Sequence, residues 1–272
     1  MKTTIKIMGF LFIYLFISTS AFASVEIDKN AVMKKVSGLQ IPFIENQGQV
    51  KDKSVRFYAN TFAGTVFITD KGEIVYSLIK AEDEKLKNAD SQPLSLSTSK
   101  LSDSISKAVA LRESLVYSNQ KPDDRAQNID KIKGINKSEA KVNYFKGTKE
   151  NWRADISTWQ EVSLGEVYKG VELKLRAYGK NVEKLFTVHP EGSVSDIKLM
   201  LEGAKGFSVN KDGELEIETE LGTIKYTKPI AYQEVDGKRI EVAVSYKIQN
   251  AGSNMQDNNS ELQTLSLCMV FR

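Results

Sequence analysis

The sequence predicts an antiparallel all-β sandwich with a long polar loop insertion. Apolar residues recur at spacings of two in short runs, as in strands with one buried and one wet face. Gly, Asn and Asp punctuate the runs where hairpins need a residue that tolerates positive φ. No ten-residue stretch between them carries a helical apolar stripe, so βαβ units are disfavoured.

Lys2 and Lys6 open the chain, Ile7 to Ile17 is almost wholly apolar, and Ala21-Phe22-Ala23 supplies a small-x-small cleavage pattern. These are the three parts of a secretory signal peptide, residues 1–23. The apolar run falls short of the roughly 20 residues that span a bilayer. The expectation is export to the medium or the cell surface, a mature start at Ser24, and no membrane span after cleavage. Residues 24–38 read as a linker.

The chain has 272 residues, 41% hydrophobic and 27% charged, with 38 Lys and Arg against 35 Asp and Glu. Its formal charge of +3 falls to +1 once Lys2 and Lys6 are removed. Acids and bases are interspersed, so nothing marks a nucleic-acid surface. Cys268 is the only cysteine. No internal disulfide can form, and stability must come from core burial.

From Leu39 the pattern becomes strand-like, and residues 39–250 read as the β-sandwich module. Val55 and Phe57, then Val66 and Ile68, then Ile74, Tyr76 and Leu78 alternate with other residues, and Asp70-Lys71-Gly72-Glu73 joins the second and third runs as a hairpin turn. Residues 80–107 turn to Lys, Asp, Ser and Asn, with too little apolar area to offset ordering entropy, and read as a solvated, mobile insertion. AVALRESLVY fits a strand or the end of a short helix, and Asn119 to Ser138 reads as polar linker.

Lys141 to Tyr178 is the densest part and holds both tryptophans. Its runs Val142 to Phe145, Trp152 to Trp159, Val162 to Leu164 and Val171 to Tyr178 read as a β-meander, with Gly147, Gly165, Gly170 and Gly179 as turns. Further turns at Asn210 to Gly213, Leu221-Gly222 and Asp236-Gly237 separate the later strands. Residues 251–272 depart from the pattern and end on an apolar segment from Leu262 to Phe271. If that segment pairs, it is expected to leave an edge or an apolar patch.

Several blocks carry a resemblance in order: PFIENQGQV from Pro42, KVNYFKG from Lys141, WRADISTW from Trp152, GEVYKGVELKLRAYG from Gly165, EKLFTVHPEG from Glu183 and KPIAYQEVDGKR from Lys228. Together they make the chain resemble the N-terminal module of bacterial SBBP-repeat (beta-propeller repeat) cell-surface proteins. The resemblance implies an exported β domain that precedes an array of propeller repeats, which would be its natural partner. Where such proteins continue through further strands into the repeats, residues 251–272 depart, which reads as a truncated or frameshifted tail. It carries no established catalytic residue and no cofactor.

Candidate chemistry is sparse. His189, the only histidine, precedes Pro190 at a strand-to-turn junction with no Gly-x-Ser-x-Gly elbow, and reads as a turn residue rather than a triad base. Asn210, Asp212 and Glu214 around Gly213 faintly suggest a calcium loop, but a hairpin turn accounts for them without the missing ligands. No metal site is assigned. Trp152 and Trp159 have two readings: core packing, the default for so large an apolar side chain, or a platform on which a sugar ring stacks. Two functions remain open on this evidence. One is a non-catalytic structural or adhesion module of a secreted or cell-surface protein, and the other is a carbohydrate-binding domain or glycan-active enzyme.

Overall fold

A computed structural model describes residues 38–81, 105–117, 131–250 and 263–269. The expected signal peptide, nearly all of the linker, the middle of the polar insertion and residues 251–262 lie outside these. Among the described residues the chain runs through β1 (Gln40–Ile41), β2 (Phe43–Glu45), β3 (Val55–Thr61), β4 (Gly64–Thr69), β5 (Ile74–Ala81), β6 (Ile105–Leu115), β7 (Lys133–Tyr144), β8 (Arg153–Tyr168) and β9 (Val171–Tyr178). It continues through β10 (Asn181–Val188), β11 (Lys198–Glu202), β12 (Gly206–Val209), β13 (Leu215–Thr219), β14 (Gly222–Tyr226), β15 (Ala231–Val235), β16 (Lys238–Val242), β17 (Val244–Asn250) and β18 (Gln263–Met269). Two single-turn 3₁₀ helices, Lys149–Asn151 and Val194–Asp196, are the other named elements.

All pairings are antiparallel. A thirteen-stranded sheet has the order β1-β9-β8-β2-β3-β4-β5-β6-β11-β18-β17, with β10 added to β9 and β7 to β8. Strands β12 to β14 form a three-stranded sheet and β15-β16 a separate hairpin. The inward residues Phe57, Ala59, Val66, Ile68, Ile74 and Leu111 of β3 to β6 share one core with Val162, Leu164, Leu173 and Leu175 of β8 and β9 and with Leu215 and Ile217 of β13. The long sheet therefore folds on itself as a sandwich-like body whose inner faces interdigitate.

The sixteen residues of β8 make this possible. One edge of β8 pairs with β7 along most of its length, while the other pairs first with β2 and then with β9, so one strand serves both layers. Gly165 (φ +74°) is not a turn, as the sequence pattern suggests, but a bulge in the β8–β9 ladder. The extra residue there leaves the consecutive residues Ser163 and Leu164 both buried.

Of its two readings AVALRESLVY takes the first and contributes to a strand, β6. Two further expectations are corrected. The stretch expected to be linker up to Ser138 already contains the start of β7 at Lys133. The polar insertion is narrower than its composition suggests, because β5 extends to Ala81 and β6 begins at Ile105. The terminal apolar segment does pair: β18 lies between β11 and β17, and the edge of the sheet is then β17.

Candidate functional site

Among the described residues, a cluster of ionisable groups lies in the interior. Glu113 on β6 lies in the same inward phase as Leu111, and its side chain is 1% exposed. Lys184 on β10 lies in phase with Val182 and Phe186 and pairs in register with Leu175, so it too points inward. The two meet across the sandwich with Lys184 Nζ donating to Glu113 Oε2 at 2.8 Å. Tyr76 of β5 and Tyr226 of β14 each donate a hydroxyl to the same oxygen at 3.2 Å. The ammonium also sits 4.0 Å from the centre of the Tyr226 ring, within cation–π reach. Burial pushes the phenols of Tyr76 and Tyr226 well above their ordinary range, and the Glu113 charge pushes them further. Both therefore stay protonated donors. Burial also pushes Tyr246, from β17, up to about 12.

One carboxylate oxygen thus gathers donors from β5, β10 and β14, which belong to both layers and to the small sheet. Glu113 Oε1 is buried and has no hydrogen-bond partner among the described residues. The arrangement is suited to fastening sheets. A charge on an edge strand turned inward, as Lys184 is on β10, also blocks edge-to-edge pairing.

A second feature faces outward. At the tip of the β7–β8 hairpin, Phe145 (60% exposed) and Trp152 (41% exposed) stand edge to face with ring centres 5.3 Å apart. The tip is tied down: Trp152 Nε1 donates to the Gly147 carbonyl, and Arg153 donates to the carbonyls of Gln47, Glu150 and Trp152 at 2.7 to 2.9 Å. Asn46 organises the loop that receives Arg153. Its Oδ1 accepts from the Gly48 and Val50 amides, and its Nδ2 donates to the Val55 carbonyl.

Trp152 and Trp159 are not brought together, since seven residues at about 3.3 Å each put them roughly 20 Å apart along the chain. Trp159 packs on the core with its ring against Gly134, where an added Cβ would overlap it, and Lys137 Nζ lies 5.6 Å from the ring centre. Of the two, Trp152 is the more exposed, and Trp159 is partly buried. His189 is half exposed, with Nε2 3.7 Å from Glu172 Oε1. Asn210 closes the β12–β13 turn through the Asp212 and Glu214 amides, and Lys225 sits between the Glu214 and Glu216 carboxylates at 3.3 and 2.9 Å. Those acids therefore face a protein cation.

Residues 43–263 match a family model described as a domain of unknown function (DUF7948). The chain belongs to this family. The match begins at the first residue of β2 and ends at the first of β18, so the DUF7948 segment includes the Glu113 cluster and the aromatic tip. No curated protein and no solved structure matches the chain.

Sequence reasoning passed over Glu113, Lys184, Tyr76 and Tyr226. A signal was present: each of two strands carries a charge where its alternation calls for an apolar residue, and the two charges are of opposite sign.

Proposed function

We propose that this chain is a non-catalytic structural or adhesion module of a secreted or cell-surface bacterial protein, exported through its N-terminal segment and placed ahead of β-propeller repeats in longer relatives. The observation that carries the reading is the braced Phe145–Trp152 tip. Two large aromatic faces held rigidly in water can contact a surface at low entropic cost and supply no reactive group. The Glu113 cluster supports the same reading, because the buried charge is committed to joining sheets. Export is supported by the basic start, apolar run and Ala-x-Ala pattern.

A carbohydrate-binding reading is favoured by one observation, the exposure of the Trp152 ring. Fluorescence of a Trp159→Phe chain isolates Trp152. An emission shift on titration with oligosaccharides from the host envelope supports the carbohydrate reading, whereas unchanged emission together with retention on envelope material supports adhesion by other contacts. Release of shortened glycan products, lost on substitution of an acid, would overturn the non-catalytic assignment.

A further inference from the structure

We propose that the outer face of β7, β8 and β9 binds an oxyanion, the carboxylate or phosphate group of a larger ligand, over Ser163. An open groove of about 490 Å³ lies there. The register sets Lys133 and Lys174 on either side of Ser163, two strand spacings apart or about 10 Å. The neighbouring row is balanced, with Arg176 paired to Glu161 at 2.8 Å and facing Glu183 at 3.7 Å. The row through Ser163 continues to Leu185 and contains no acid. Lys131 comes in from a third side, where its Cβ packs against the bare Cα of Gly165.

Among the described residues none of these three lysines has an ion-pair partner. Like charges placed this close in one concavity repel one another and raise the local concentration of anions. Ser163 is buried, and its Oγ accepts the Gly165 amide at 3.1 Å, which leaves its hydroxyl proton to donate into the groove. The two acids of the lining are turned to other partners: Glu166 accepts the Gly170 amide at 2.8 Å, and Glu172 faces His189. Three lysines and one hydroxyl thus line a single groove with no acceptor among the described residues, and a carboxylate or phosphate completes them with charge-assisted hydrogen bonds. The site does not depend on what the module adheres to.

Isothermal titration of the full chain with tetragalacturonate and with tripolyphosphate tests this. Saturable binding that weakens with salt is expected for at least one of them, and which one binds identifies the carboxylate or phosphate source. The Lys133→Ala/Lys174→Ala variant should bind about tenfold more weakly or worse, and Ser163→Ala, which changes no charge, about threefold. Lys211→Ala/Lys238→Ala removes the same charge elsewhere and should bind as the unaltered chain does. Absence of saturable binding to either probe, or equal weakening in the Lys211/Lys238 variant, would overturn the proposal.

Discussion

Glu113 Oε2 accepts three hydrogen bonds from three strands and faces the single cation Lys184. Truncating either partner leaves the other charge buried and unpaired, so Glu113→Leu and Lys184→Met should each cost about 3 to 5 kcal/mol in urea unfolding. The Glu113→Leu/Lys184→Met double variant, which removes both charges, should cost less than the sum of the two, the remainder being the acceptor lost by the Tyr76 and Tyr226 hydroxyls. Double-variant costs that simply add would show that the pair is not coupled. The phenols set a second expectation. Unfolded tyrosine titrates near pH 10, whereas Tyr76 and Tyr226 hold their protons well beyond it in the fold. Their contribution is fully present below pH 10 and is lost as pH rises toward the folded values, because only the unfolded chain releases protons in that window. Unfolding free energies should therefore fall from about pH 10 upward by as much as about 1.4 kcal/mol per pH unit for each phenol. The slope should be shallower in Tyr226→Phe, and identical slopes would remove these tyrosines from the account.

Gly134 on β7 lies where only a bare Cα fits beneath the Trp159 ring. Gly134→Ala must displace the indole or the strand, and a cost of about 1 to 3 kcal/mol is expected for such overpacking. In a Trp152→Phe background, where Trp159 is the only emitter, the same change should shift the emission; an unchanged spectrum and melting temperature would mean that the ring does not lie there. Much at this scale was legible in the sequence. The hairpin turn at Asp70 to Glu73 and the alternation of Val171, Leu173 and Leu175 follow from local chemistry. Gly165 was not legible as a bulge, because a positive φ serves a turn and a bulge alike and only the partner strand tells them apart. The start of β7 was hidden for a related reason. Its residues Lys133 to Lys141 are mostly polar, since β7 covers little of the core and takes its stability from the ladder with β8.

Across the whole molecule, periodicity reveals which face of each strand is buried but not which strand lies beside which. The insertion of β18 between β11 and β17 brings together segments far apart in sequence, and no local signal encodes it. The Glu113–Lys184 pair was hidden for the same reason: each inward charge looks anomalous alone, and the partner that satisfies it is 71 residues away. The aromatic tip was half legible, with Trp152 marked as a possible contact and Phe145 assigned only to an apolar run. Export is checked by the intact mass of protein recovered from the host's envelope and medium, which should correspond to a chain beginning at Ser24. Cytoplasmic protein retaining Met1 as the sole species would contradict it. If the braced interior serves to hold out the Phe145–Trp152 tip as a contact surface, the full chain should be retained on the host's cell envelope more strongly than a Phe145→Ala/Trp152→Ala variant of equal melting temperature. The expected result is a loss of about tenfold or more, as for removal of an aromatic hot spot, and equal retention of the two proteins would contradict the account.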